Sequence, residues 1–238
     1  MMKILHLFPD VMNLYGEYAN VALLGRFLRE LGEEVSVDTL SLYEQKDISG
    51  YDFYFMGAGT ECRQKLVLPQ LMQYQGALRD AFEAGRVMLF TGNSFELLGA
   101  GVRDAEGKNH AGLNLFDFTT EESSRRIVGD CLATCEMLAQ PVVGFMNKCS
   151  KTTGIAHPFF TLRMGSGNER SGGGEGFREK NCFGTHLTGP ILVKNPELLW
   201  YFAALLGAKN PESVSYPYME KAYETTAREL QKRLEAQK

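Results

Sequence analysis

The sequence lacks the features that mark a chain for metal, membrane or nucleic acid. It has no Cys-x-x-Cys pair. Its five cysteines (Cys62, Cys131, Cys135, Cys149 and Cys182) are an odd number, and Cys131 and Cys135 lie in a stretch without histidine. This excludes the usual zinc spacings and fits reduced thiols in a cytoplasmic chain. No apolar run approaches the ~18–20 residues that a membrane span requires. The apolar start of the chain is cut at Pro9-Asp10, too early for the core of a signal peptide. Positive charge is scattered: Arg125-Arg126 is its densest point in a chain of net charge −4, which leaves no phosphate track for a nucleic acid. What remains is an ordinary globular composition, 44% hydrophobic and 23% charged over 238 residues, enough for one large domain.

The first half alternates buried runs with helical spacing. Lys3–Phe8 and Phe53–Met56 are continuous apolar runs, and Glu34–Leu40 alternates like a strand with one wetter face. Val21, Leu24, Phe27, Leu28 and Leu31 keep helical spacing up to a stop at Gly32, and a second helix is expected over Leu66–Ala84, stopping at Gly85. This alternation indicates an α/β fold, a parallel sheet with helices on both faces and its working end at the strands' C-termini. The second half is strand-rich: Leu113–Phe118, Ile127–Ala133, Val142–Met146 and Phe159–Met164 are expected strands of an insertion, and Cys182–Thr188 re-enters the core. Gly165–Gly176 lacks the Gly-Lys-Ser/Thr ending of a phosphate loop and reads as a mobile connection or a lid. Beyond a helix at Glu197–Leu206, the residues Met219, Tyr223, Ala227, Leu230 and Leu234 form one apolar stripe on a charged helix. That stripe either covers the chain's own core or offers a docking face.

Arg86–Gly99 reads as a buried strand (Val87–Phe90), a sharp turn and a helix. In α/β hydrolytic enzymes this geometry lifts a nucleophile into a cleft. Here the tip is Gly92, which has no side chain, and Ser94 falls in the first turn beyond it. Asn93 followed by Glu96 reads as a capping box. Gly57-Ala58-Gly59 follows a strand, but Cys62 stands where a dinucleotide fingerprint needs a third glycine. The segment is therefore either a tight turn or a loop whose amides hold an oxyanion. Of the four histidines, His6, His110, His157 and His186, the last stands two residues before Thr188, so a strand would put both on one face.

Four stretches carry a resemblance: Phe8–Glu17, Gly57–Gln64, Gly112–Phe118 with Arg126–Asp130, and Gly184–Asn195. Together they resemble class I glutamine amidotransferases of the cobyric-acid-synthase-like (CobB/CobQ-like) branch, most closely the glutaminase subunits of lipid II isoglutaminyl synthases. The resemblance implies a flavodoxin-like sheet, an amidotransferase-like domain over residues 1–210 and a helical tail over 211–238. Such proteins hydrolyse glutamine with a cysteine on the elbow and a histidine on a late strand. They pass ammonia to a Mur-ligase-like, ATP-dependent subunit in a heterodimer that amidates the peptidoglycan stem peptide. No cofactor and no metal is implied. A thiolate attacks the carboxamide, an imidazole relays the proton, and backbone amides bind the oxyanion.

By the same resemblance the nucleophile position is Gly92 and the base position is Thr188, while Ser94 and Glu96 stand where Gly and Gln are usual. Asn147-Lys148-Cys149 occupies a loop that usually carries Asn-His. Arg126 matches a substrate-binding arginine, Gly57 and Gly59 match oxyanion-loop glycines, and Asn93 completes the expected substrate contacts. The expectation is a catalytically silent subunit that scaffolds or regulates a ligase. Two other readings stand beside it. One is an active glutaminase in which His186, with Cys149 or Cys62, replaces the missing pair. The other is a module that binds glutamine or another carboxylate through Arg126 without turning it over.

Overall fold

The structure, a computed structural model, describes residues 1–169 and 173–236. Four parallel strands, β1 (Met2–Leu7), β2 (Val35–Leu40), β3 (Phe53–Met56) and β4 (Val87–Thr91), lie side by side in the order β2-β1-β3-β4. Their side chains alternate between two cores, as the strand period requires. Ile4, Phe53, Phe55 and Leu89 face helix α1 (Tyr18–Glu30), which buries Val21, Leu24, Phe27 and Leu28 against them. Leu5, Tyr54, Met56 and Phe90 face α2 (Glu61–Gln73) and α3 (Gln75–Glu83) on the other side. Burial on both faces makes β3 and β4 read as unbroken apolar runs. The helix expected over Leu66–Ala84 is in fact two. It begins earlier, where the Thr60 side chain accepts a hydrogen bond from the Arg63 amide (3.3 Å), and breaks at Tyr74, whose φ of −100° and ψ of 7° leave the helical range.

The strand-rich half builds a second sheet from β5 (Gly101–Arg103), β6 (Asn109–Ala111), β7 (Thr119–Thr134), β8 (Val142–Thr153), β9 (Phe160–Met164) and β10 (Gly174–Glu175). Its spine is the antiparallel β7–β8 pair, with a register shift between Glu122 and Ile127. Leu113–Phe118, expected as a strand, pairs with no sheet. Its amides bond to the carbonyls of Leu97, Leu98 and Gly99, and its apolar residues cap the core beneath that turn. Part of the Gly-rich stretch, residues 170–172, lies outside the described residues. Its end is not a loose connection but β10, paired with β9.

The chain then re-enters the first sheet through β11 (Phe177–Glu179) and β12 (Cys182–Thr185), the latter parallel to β4. The resulting order, β11-β12-β4-β3-β1-β2, is a doubly wound, flavodoxin-like arrangement with an antiparallel edge. Cys182–Thr188 is not one strand. At His186 the backbone leaves the first sheet, and β13 (Leu187–Thr188) pairs with β8 of the second. Helices α4 (Ile191–Lys194), α5 (Pro196–Leu205) and α6 (Pro217–Glu235) close the fold. Leu230 of α6 packs on Leu132 and Val143, with Tyr223, Ala227, Leu234 and Met164 around it, so the C-terminal stripe covers the chain's own second sheet. Among the described residues no helix is long and apolar enough to cross a membrane.

Candidate functional site

At the C-terminal end of β4 the backbone turns through Gly92 with φ of +62°. This left-handed conformation strains any residue with a Cβ but not glycine. The chain continues as a tight 3-10 stretch, Gly92–Leu98, instead of the expected α-helix, because Phe95, Leu97 and Leu98 are all drawn into the core. The Ser94 hydroxyl is fixed against the carbonyls of Met56 (2.9 Å) and Thr91 (2.8 Å), below the tip. The tip of the turn therefore carries no side chain, and little room is left for one. A Cβ built on Gly92 would lie 2.4 Å from the Ala58 Cβ and 3.2 Å from the Thr188 Cγ2.

Gly92 opens on a cleft of about 230 Å³ that also takes in Gly59, Asn93, Arg126, His186 and Thr188. Most of the residues singled out in the sequence thus converge. Gly57 does not line the cleft. A Cβ there would meet the Met12 carbonyl at 2.6 Å and the Glu17 Cβ at 2.7 Å, so this glycine serves close packing. The capping box does not form: no side chain caps the 3-10 stretch, and the Asn93 Oδ1 instead accepts from the Gly59 amide at 3.0 Å. The Gly59 amide is thereby committed within the chain. Thr188 turns its hydroxyl to the Phe145 carbonyl (3.2 Å) and its methyl toward the elbow.

His186, at the crossing between the sheets, is buried between two buried carboxylates. Its Nε2 lies 3.0 Å from Glu96 Oε1 and its Nδ1 3.2 Å from Glu175 Oε1, with Phe95 packed edge-on at 4.4 Å. Both nitrogens can donate only when the ring carries both protons, and then no lone pair is left to accept one. Glu175 also accepts from the His186 amide (2.7 Å) and the Thr185 hydroxyl (2.6 Å), and Glu96 from Ser150 (2.5 Å) and Gln64 (2.8 Å). This knot was invisible in the sequence, where nothing in the glycine run distinguishes Glu175 from Glu169.

Glu17 was missed as well. It lies buried behind the elbow, accepting from Thr91 Oγ1 (2.5 Å), Asn20 Nδ2 (3.0 Å) and the Gly189 amide (2.9 Å). Burial pushes its carboxyl up to about 7, against these three donors, which favour the charged form. Its partners at positions 20, 91 and 189 come together only in the fold.

A hydrogen-bonded chain crosses the cleft mouth. Arg126 donates to Glu61 (2.7 Å) and to Asn147 Oδ1 (3.0 Å), and Asn147 Nδ2 donates to the hydroxyl of Tyr15 (2.6 Å), itself at φ of +65°. The Cys149 thiol lies 3.3 Å from Glu61, and burial together with that carboxylate pushes it up to about 12. The thiol is therefore protonated at neutral pH, and its hydrogen-bond partner is an acid rather than His186. Cys62 is exposed and does not line the cleft.

Residues 3–196 match the CobB/CobQ-like glutamine amidotransferase domain family, and the chain belongs to that family. It is 30% identical over 202 residues to the GatD subunit of the glutamine-hydrolyzing lipid II isoglutaminyl synthase of Streptococcus pneumoniae (strain ATCC BAA-255 / R6), covering 84% of this chain and 78% of that one. To the same subunit of Staphylococcus aureus (strain N315) it is 30% identical over 203 residues, covering 84% and 82%. Among solved structures, a glutamine amidotransferase from Thermotoga maritima superposes with a TM-score of 0.54 at 12% identity, over 99% of this chain and 94% of that one. A second glutamine amidotransferase gives 0.56 at 14% identity, over 85% and 98%. These structural likenesses show the fold alone.

Proposed function

We propose, proceeding from that membership, that this chain is the amidotransferase-like subunit of a lipid II isoglutaminyl synthase-type assembly and does not itself hydrolyse glutamine. The observation that carries the reading is the filled elbow. Gly92 offers no nucleophile, and the Ala58 and Thr188 methyl groups occupy the space a sulfur-bearing side chain would need. Loss of a nucleophile or its base costs about 10⁶-fold in turnover, and losing both costs little more because they act as one unit. The remaining groups do not rebuild the pair. Cys149 is held as a thiol beside Glu61, and His186 is clamped by Glu96 and Glu175.

Such a subunit acts through a partner of the Mur-ligase type, which activates a stem-peptide carboxylate with ATP while this chain scaffolds or regulates it. The test is direct. Purified chain with glutamine is expected to release no ammonia above a heat-killed control. A turnover of about one per second, ordinary for an enzyme, would overturn the reading.

A further inference from the structure

A trough of about 750 Å³, larger than the cleft, runs between α1 and the start of α6. It is lined by small side chains of two helices, Ala19 and Ala22 of α1 and Ala222 and Thr226 of α6, together with Leu23, Val143 and Val193, and both Ala22 and Ala222 are exposed. Its walls are aromatic and thioether, with Tyr216, Met219 and Tyr223 half-buried, and Tyr218 stands 93% exposed at the rim. The only charged residues lining it are two cations, Arg26 and Lys194, although the chain carries a net charge of −4. Arg26 is paired with Glu30 at 2.7 Å, whereas the Lys194 ammonium has no carboxylate partner among the described residues.

We propose that this trough seats an amphipathic helix of the partner subunit, its apolar face on the alanines and a carboxylate directed at Lys194. The inference rests on the reading of the chain as one subunit of a two-component assembly. Three observations support a helix as the occupant. Small residues on two neighbouring helices let a third backbone approach closely, and a groove of this kind is read by residues at helical spacing. Tyrosine and methionine, here one exposed tyrosine beside two half-buried tyrosines and a half-buried methionine, are side chains enriched where proteins meet. Cations are the only charges that the trough presents, and Lys194 lacks a carboxylate partner among the described residues, which selects an acidic face. Along the chain the two lie close: Ala19 of the trough follows Tyr15 of the cleft mouth by four residues. One wall, α6, lies outside the residues 3–196 that match the family, so the trough is not built from the shared domain alone.

The test uses the full chain and a Mur-ligase-like subunit co-purified with it, with binding measured by calorimetry. Ala22→Trp fills the trough and Lys194→Glu reverses its charge. Each is expected to weaken the complex about 10-fold or more while leaving the melting temperature unchanged, whereas Glu106→Lys, on the β5–β6 turn, has no effect. Wild-type affinity in both trough variants overturns the proposal. Failure of every variant, wild type included, to form a complex removes the occupant and overturns it too, and the ammonia assay still decides the silent-enzyme reading by itself. Sedimentation of the wild-type chain with phosphatidylglycerol vesicles, abolished by Ala22→Trp, would make the occupant an anionic lipid and equally overturn the helix.

Discussion

At Gly92 two penalties await any added side chain: left-handed backbone strain and overlap with the Ala58 methyl at 2.4 Å. Gly92→Ala is therefore expected to lose about 2–4 kcal/mol in urea unfolding, strain and overpacking contributing comparable shares. Ala58→Gly in the same chain relieves only the overlap. The double-mutant cycle should show a coupling of at least about 1 kcal/mol, and strictly additive losses would refute the filled-elbow geometry. Glu17 makes a second prediction at this scale. Burial raises its carboxyl from 4.5 to about 7, so the folded state holds this proton more tightly than the unfolded chain. The resulting stability is complete below pH 4.5 and lost as pH rises through about 7. His6 opposes it: burial lowers its imidazole from 6.5 to about 4, with Nε2 unpartnered, so stability falls as pH drops below 6.5. The difference between Glu17→Gln and wild type isolates the first effect. The variant should gain on wild type by about 2.5 kcal/mol between pH 5 and pH 8. Parallel stability curves would contradict this.

Elements were legible where their burial is simple and opaque where tertiary contacts decide. Strands β1, β3 and β4 announced themselves because both faces are covered. Leu113–Phe118 has the same apolar density but caps a 3-10 turn, and no periodicity separates the two uses in six residues. Gly92, Thr188 and Arg126 line one cleft; Thr188 and Arg126 come from stretches that carry the family resemblance, and Gly92 from the strand-and-turn pattern of Arg86–Gly99. Glu175 and Glu17 were not legible, since their partners are set by the passage of the chain between sheets. That passage is held by the His186 knot, which fastens the 3-10 stretch after β4, the end of the glycine run and the β12–β13 crossing. Replacing Glu175 with Leu removes the buried acceptor shared by the His186 ring, the His186 amide and the Thr185 hydroxyl, leaving those groups without their partner. The expected loss is about 3–5 kcal/mol, read as a lower melting temperature and urea midpoint. A change under about 1 kcal/mol would show that the knot does not hold the crossing.

For the molecule as a whole, the second sheet depends on α6 for cover. A chain ending before Pro217 is expected to expose Leu132, Val143 and Met164, bind a hydrophobic dye and melt earlier than the full chain. Identical melting and no dye binding would make α6 an appendage. The alanine facing the elbow ties two distant positions of the chain together. Domains of this kind keep a margin of only about 5–15 kcal/mol. A cysteine placed at position 92 while residue 58 still carries its methyl would spend much of that reserve. The order of changes therefore matters: space has to be opened at 58 before anything larger than hydrogen is tolerated at 92.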